Sequence, residues 1–340
     1  MIYLMKRIKK EVKFKTKMEI KDNVYGVEEI NEPVLVELIN SKPLQRLKKI
    51  SQQGLPKEYC HKPVFSRYEH SLGVMLLLRR LGANLNEQIA GLIHDVSHTA
   101  FSHVTELLFG DPRRDDYQDK NHLKFIENSE IPNILKKYNL DYKEFVDLEK
   151  YSLLENEIPN LCADRFDYTI REIFMEDGKE KTNYYVKGLI NLNGNMVFNS
   201  YDVAKAFALD FLKCQIYHWG SDEGKIRYKI LAEILDYSLK KGIISPEDLW
   251  EDDEHVLLIL RNVDDKEIKS RFELLERNTV LDLEHYKKNL LKKFRYVDPI
   301  VFINSGSVRL SEISEDYKKL IDIEREKSMK LNFSISEKIK

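Results

Sequence analysis

The chain has 340 residues, with 55 Lys and Arg against 57 Asp and Glu and a formal net charge of -2. Apolar residues make up 42% and charged residues 33%, the composition of a globular protein of one large or two modest domains rather than a collagen-like or disordered chain. The charge balance leaves no global positive field to draw nucleic acid, and the longest apolar runs, Val74–Leu78 and Val256–Leu260, fall far short of the ~20 residues of a membrane helix.

Within residues 11–30, Val12, Phe14 and Thr16 alternate with charged neighbours, and Asp22-Asn23 and Tyr25-Gly26 punctuate, which predicts one or two short strands. From Asn31 the period becomes helical: Val34, Leu35, Leu38 and Ile39 share one face, then Leu44, Leu47 and Ile50 another, until Gly54 and Pro56. Glu69–Leu81 and Asn86–Asp95 read as helices. Gly110-Asp111-Pro112 breaks the pattern, and Arg113–Asn121 reads as an exposed loop. Helical spacing returns at His122–Asn128, Ile131–Tyr138, Tyr142–Leu148 and Tyr168–Met175. Tyr185, Lys187 and Leu189, the turn Asn193-Gly194-Asn195 and Met196–Phe198 predict a β-hairpin over 184–199. Asp202–Tyr217 and Lys225–Lys241 are helical again. Beyond Pro246 the charge rises. Helical periodicity persists at Val256–Leu260 and Leu274–Leu275, Val301–Ile303 reads as extended, and the last 30 residues read as an amphipathic helix or a partly ordered tail. The expected organisation is a strand or arm region over 1–30, a mainly α domain over 31–245 and a charged helical extension over 246–340.

Three scattered cysteines, Cys60, Cys162 and Cys214, form no C-x-x-C pair, which excludes a zinc ribbon and argues against a disulfide framework. The MIYLMKRIKK start puts apolar before basic residues, the reverse of a secretory signal, so a cytoplasmic location is expected. The histidines carry the chemistry. Six of nine lie between His61 and His122, and His94-Asp95-Val96-Ser97-His98-Thr99-Ala100-Phe101-Ser102-His103 packs three with an aspartate into an apolar context. Each buried neutral histidine needs both a donor and an acceptor matched, so a metal or anion shared by several is the simpler account. A helix continuing through this segment would place His94 and His98 on one face.

The order His70, His94-Asp95, Asp164 resembles the H…HD…D signature of HD-domain metal-dependent phosphohydrolases. The segments Arg67-x-x-His70-Ser71-Leu72-Gly73, His94-Asp95-x-x-His98-x-x-Phe101-x-His103 and Asp164-x-x-Asp167-Tyr168 are similar to the deoxynucleotide triphosphohydrolase branch, which includes bacterial dGTPases and the vertebrate SAM-and-HD-domain enzyme. Leu44–Ile50 with Gln52 resembles that branch's lead-in helix. The resemblance covers about residues 20–180 well and is loose after 200. The sequence departs from the branch at Val96-Ser97 (usually Ile or Leu, then Gly), at Ala100 (usually Pro) and at Glu172 (often Asp).

The resemblance implies a mainly α fold: an HD-domain helical bundle with small β-hairpin additions and a C-terminal helical extension. It implies that His70, His94, Asp95 and Asp164 hold one divalent metal ion, of the set Mn, Fe, Mg, Co or Ni. Arg67 would clamp a phosphate. His98 and His103 would lie along the phosphates, one of them handling a proton, and His122 stands where the family carries a further catalytic histidine. Arg165 would contact phosphate, Tyr168 would pack on the sugar, Gln52 would bond a sugar hydroxyl, and Glu172 stands where an Asp reads the 3′-hydroxyl. Outside the resemblance, Tyr217-His218-Trp219 with Lys225, Arg227 and Tyr228 offers aromatic and basic groups, and Arg227 is a candidate phosphate contact. The expected reaction is hydrolysis of a deoxynucleoside triphosphate to deoxynucleoside and triphosphate. The alternatives are an HD-type nucleotidase or phosphodiesterase acting on nucleoside monophosphates or cyclic or linear dinucleotides, and a nucleotide-sensing module with little hydrolysis. A nucleotide effector and a homo-oligomer are expected from the resemblance. Neither a membrane nor a nucleic-acid partner is expected, and the basic run Lys6–Lys17 reads as a solvated arm.

Overall fold

The computed structural model describes residues 17–336, apart from 61, 111–115, 278–279, 281–282, 288–289, 291–292 and 305. The residues Val12–Thr16 and most of the basic run lie outside the described residues. The N-terminal hairpin pairs β1 (Met18–Asp22) with β2 (Gly26–Ile30), Met18 opposite Ile30. Its turn is held by Asp22, whose Oδ1 accepts the amides of Val24 and Tyr25, each at 2.9 Å.

Two short helices follow, α1 (Pro33–Ile39) and α2 (Lys42–Arg46), each with a proline in its first turn, where the missing amide costs nothing. The central helix is α3 (Arg67–Arg80). Ser66 and Glu69 form a capping box at its start, and every residue from His70 to Leu78 is buried. It packs against α4 (Leu85–Ile93). Next come α5 (His103–Phe109), α6 (Tyr117–Glu127), α7 (Ile131–Lys137), α8 (Ala163–Asp177) and α9 (Lys179–Gly188). The start of α6 corrects the exposed loop expected over 113–121 from Tyr117 onward; 113–115 lie outside the described residues. Residues from Tyr117 form the outer face of a helix that buries His122 and Ile126, four apart. Tyr142–Leu148 holds only a single 3-10 turn, Tyr142–Phe145.

The hairpin of β3 (Leu189–Leu192) and β4 (Asn195–Phe198) is shorter than expected. Tyr185 and Lys187 belong to α9, which buries Thr182, Tyr185 and Gly188 at a spacing of three. Then come α10 (Tyr201–Cys214), a wide turn over Gln215–Trp219, α11 (Asp222–Lys240), α12 (Asp253–Asn262), α13 (Lys266–Leu275) and α14 (Glu284–Lys287). The chain returns to the hairpin with β5 (Ile300–Ile303), parallel to β4, and β6 (Gly306–Arg309), giving a four-stranded sheet of order β3-β4-β5-β6. It ends with α15 (Leu310–Ile313) and α16 (Glu315–Ser336), the latter burying Tyr317 and Ile321. The fold is mainly α with small β additions.

Two apolar cores result. The first gathers α3, α4, α8 and α10 (Leu76, Leu92, Ile170, Phe207) and takes in Val301 and Tyr317. The second joins Ala100, Phe101 and Val104 to Ile230, Leu257 and Phe272. Apolar packing therefore runs across residue 246 in both cores.

Where α3 and α8 meet, a Cβ on Gly73 would lie 2.0 Å from Arg171 Nη2 and 2.1 Å from Asp167 Oδ1. Gly73→Ala should therefore cost about 1–3 kcal/mol, the usual range for overpacking. A urea denaturation midpoint unchanged from wild type would contradict that close approach.

Candidate active site

The first turn of α3 supplies Arg67 and His70, the end of α4 supplies His94 and Asp95, and the first turn of α8 supplies Asp164. These elements bring four side chains together. His70 Nε2 is 2.8 Å from Asp164 Oδ1, 3.3 Å from His94 Nε2 and 4.0 Å from Asp95 Oδ2. His94 Nε2 is 3.4 Å from Asp95 Oδ1 and 3.5 Å from Asp164 Oδ1. The outer ring nitrogens fix the inner ones. His94 Nδ1–H donates to the Gly91 carbonyl at 2.7 Å, and His70 Nδ1 lies 2.8 Å from Asp167 Oδ2. With both Nδ1 atoms protonated, both Nε2 lone pairs turn inward. Asp167 also accepts from Arg171 Nε at 2.8 Å, and Arg171 Nη2 reaches Asp22 Oδ2 of the N-terminal hairpin at 2.7 Å.

Two converging imidazole nitrogens and two carboxylates are a donor set suited to a divalent cation. The protein's own electrostatics carry the same sign. Burial opposes protonation of His70, but Asp164 and Asp167 outweigh it and push the imidazole up to about 9. Burial likewise opposes the charges of Asp95 and Asp164. Arg67 with His94 and His98 holds Asp95 well below the usual carboxylate range, and His70 and His94 do the same for Asp164. A neighbouring trio, Glu155, Cys162 and Asp164, also has metal-ligand types within reach of one another. There the Arg165 guanidinium already sits 3.3 Å from Cys162 Sγ and 3.5 Å from Glu155, so the positive charge is present.

The helix does not continue through the histidine-rich segment. It stops at Ile93, and residues 94–102 form a tight turn in which Phe101 (φ 58°) and Ser102 (φ 42°) are both left-handed. Two residues in this region cannot propagate a right-handed helix. His94 and His98 still converge, through Asp95: His98 Nε2 is 3.2 Å from Asp95 Oδ1. Arg67 is buried at the centre of the turn. Its Nη1 donates to Asp95 Oδ2 and its Nε to Ser102 Oγ, each at 2.6 Å. Its Nη2 lies 3.3 Å from the Gln52 carbonyl and 3.4 Å from His103 Nε2. Burial, reinforced by Arg67, pushes His98 down to about 3, so it is neutral at physiological pH.

The centre opens into a cleft of about 1160 Å³. Among the sequence-predicted residues, Gln52, Arg67, His94, Asp95, His98, His103, Asp164, Arg165, Tyr168 and Glu172 border it. Tyr168 stands edge-on to Trp219 with ring centroids 5.1 Å apart. Arg165 is anchored to the backbone, donating to the carbonyls of Asn160 at 2.6 Å and Asn156 at 3.1 Å. Glu172 accepts from Gln53 Nε2 at 2.5 Å and lies 3.0 Å from His218 Nδ1. Two expected residues stand elsewhere. Arg227 does not border the cleft: it pairs with Glu223 and donates to the carbonyls of Leu275 and Arg277, at 2.6 and 2.9 Å. Its phosphate role is thereby corrected to a tie between α11 and the end of α13. His122 is buried behind the turn, with Nδ1 2.8 Å from Ser97 Oγ, and does not border the cleft.

The structure adds residues that the sequence pattern did not single out. Lys229, Lys293, Arg295 and Arg325 border the cleft with Lys225, and Phe294 stacks on Tyr296 at 5.7 Å. They lie more than a hundred residues beyond the histidine segment, in a charged stretch without local motif. Asp167 stood in a recognised motif, but its role as the His70 partner needed the packing of α3 on α8.

The HD domain family model matches residues 67–182, the span that contains all four converging residues. A metal-dependent phosphohydrolase of Cordyceps militaris is 30% identical over 83% of this chain and 84% of its own. An uncharacterized protein of Bacillus subtilis, YdhJ, is 37% identical over 92% of this chain and 97% of its own. A shorter stretch, 25% of this chain and 17% of the relative, is 36% identical to the deoxynucleoside triphosphate triphosphohydrolase of Bos taurus. The crystal structure of a hypothetical protein from Aquifex aeolicus shares the fold, with a TM-score of 0.65 over 89% of this chain and 93% of that one at 22% identity. The chain belongs to the HD-domain metal-dependent phosphohydrolases. Among the described residues, no helix is long and apolar enough to cross a membrane.

His122 generates a pH prediction. Burial holds its pKa down to about 4, with the His94 charge adding to the effect. An unfolded histidine titrates near 6.5, so between pH 6.5 and 4 the unfolded state binds the extra proton and stability falls as pH falls. Between pH 7 and pH 5, wild type should lose roughly 2 kcal/mol more unfolding free energy than His122→Gln. Equal losses in denaturant titrations of the two proteins would contradict the buried neutral state.

Proposed function

We propose that this phosphohydrolase acts on deoxynucleoside triphosphates, releasing deoxynucleoside and triphosphate through one divalent metal ion held by His70, His94, Asp95 and Asp164. The observation that carries the reading is the joining, in one cleft, of His94, Asp95 and Asp164 from that donor set with Arg67 and with five cations from later elements: Lys225, Lys229, Lys293, Arg295 and Arg325. A triphosphate has the charge and length to engage both groups. The short match to the bovine triphosphohydrolase and the motif Asp164-x-x-Asp167-Tyr168 support the same substrate class.

When bound, a divalent ion supplies Lewis-acid stabilisation of charge on phosphoryl oxygen. The protein's residues do the rest. Water adds to the α-phosphorus as the bond from phosphorus to the sugar 5′-oxygen breaks. Arg67, fixed by Asp95 and Ser102, sets its guanidinium charge at the border of the cleft, where charge grows on the phosphoryl group. His103, beside Arg67, delivers the proton taken up by the departing 5′-oxygen and is reprotonated from solvent, to which the attacking water gives up its proton. His98, neutral and bonded to Asp95, holds the phosphate chain by hydrogen bonding. Tyr168 and Trp219 provide the apolar wall for the sugar.

A second reading, a nucleotidase or phosphodiesterase for monophosphates or dinucleotides, draws on Glu172. Both of its oxygens already engage Gln53 and His218, leaving the 3′-hydroxyl contact of the branch without a ready acceptor. Product chromatography separates the two. Incubation with Mn²⁺ or Mg²⁺ and the four dNTPs should yield deoxynucleoside and triphosphate, abolished by EDTA and by His94→Ala. Turnover of monophosphates or dinucleotides with no release of triphosphate would replace the first reading by the second.

A further inference from the structure

One carboxylate fastens together segments that lie far apart in the chain. Asp253, the first residue of α12, is 5% exposed. Its Oδ1 accepts the amide of Phe101 at 2.7 Å, and its Oδ2 accepts the amide of Ser51 at 2.9 Å. Ser51 precedes Gln52 in the cleft, and Phe101 lies between His98 and His103. The same C-terminal segment grips the turn at further points. The Ala100 amide donates to the Leu249 carbonyl at 2.8 Å. Arg46 Nη1 donates to the carbonyls of Trp250 and Glu251, at 3.2 and 2.7 Å, while its Nη2 donates to those of Val96 and His98, each at 2.7 Å.

The turn needs such a grip. Phe101 and Ser102 are consecutive non-glycine residues with positive φ, a conformation that persists only when its surroundings over-determine it. The Phe101 carbonyl abuts Gly54, where a Cβ would come within 2.6 Å of it. This conformation sets Ser102 Oγ on Arg67 Nε and begins α5 at His103, beside Arg67 Nη2. A carboxylate is the side chain of this length with two acceptors and no donor; asparagine would turn an amino group toward one of the two amides. Burial is the main effect pushing Asp253 up to about 7, against the two amides and the Arg67 charge. Burial works against the charge of a carboxylate so placed, and the two backbone amides it satisfies offset that cost. What it supplies is position.

We propose that Asp253 is a positioning residue for phosphoester hydrolysis, holding the 51–52 and 98–103 segments so that Gln52, Arg67, His98 and His103 face the cleft in one arrangement. The inference rests on the phosphohydrolase site and not on the deoxynucleotide substrate.

The test compares wild type with Asp253→Asn and with Leu257→Ala, which opens a cavity in the same helix without touching these bonds. With Mn²⁺ and bis(p-nitrophenyl) phosphate, Asp253→Asn should lower kcat by about tenfold or more with KM little changed, while Leu257→Ala keeps wild-type kcat at temperatures where it is folded. Mn²⁺ binding should be the same in all three. In the metal-free proteins, hydrogen exchange should accelerate in peptides covering 50–53 and 96–104 of Asp253→Asn and stay unchanged in α8. A kcat within twofold of wild type, or unchanged exchange in those two peptides, overturns the proposal. If Asp253→Asn does not fold, Arg46→Lys keeps the charge but cannot reach both carbonyl pairs, and it faces the same two outcomes. A product survey without any dNTP turnover removes the substrate reading and leaves the exchange result to decide this one.

Discussion

Two imidazole nitrogens 3.3 Å apart, with two carboxylates around them, form a set of facing lone pairs that the fold holds against burial. Such a set is stable only with positive charge at its centre, from protons or from a cation. The surrounding structure can be traced outward from that requirement. His70 is oriented by Asp167, Asp167 by Arg171, and Arg171 by Asp22 in the first hairpin, so a strand pair at the edge of the fold ends up steering a side chain at its centre. Gly73 leaves the space in which that relay runs. On the other side, Arg67 compensates Asp95 and is aimed by the strained turn that follows. Membership of the HD-domain metal-dependent phosphohydrolases accords with both halves of this arrangement.

Much of this was legible from the sequence, for a physical reason. Histidine and aspartate are seldom buried without a partner, so His94-Asp95 within an apolar helix pattern stands out, and His70 and Asp164 extend it at the spacing of a known family. The structure brings those four together. The long helices were legible from their apolar periodicity in α10 and α11 and, in α3, from a Leu-rich run buried on all sides. Elements whose character depends on distant packing were not. The polar start of α6 reads as loop because only His122 and Ile126 face inward. Tyr185 and Lys187 alternate like a strand, but both lie in α9, which buries Tyr185 with Thr182 and Gly188 at a spacing of three and leaves Lys187 exposed. Arg227 shows the same limit for function: an arginine near aromatic residues reads as a phosphate contact until the carbonyls of Leu275 and Arg277 take up its donors.

The C-terminal third illustrates what a motif cannot convey. Its residues carry no local signature, yet β5 completes the sheet begun by β3 and β4, and the Leu249–Asp253 segment grips the histidine-bearing turn. Lys293, Arg295 and Arg325 add positive charge to a cleft whose chemical centre was built from residues 67–164. Binding charge and chemical centre thus come from different parts of the chain, and only the fold unites them.

The most direct test of the metal centre is a titration of chelator-stripped protein with Mn²⁺, followed by electron paramagnetic resonance. Wild type should saturate at one ion per chain, and Asp164→Ala should abolish that saturable binding while keeping the folded circular dichroism spectrum. Failure of the wild type to bind Mn²⁺ saturably, or undiminished binding in Asp164→Ala, would contradict the assignment of these four side chains to a cation.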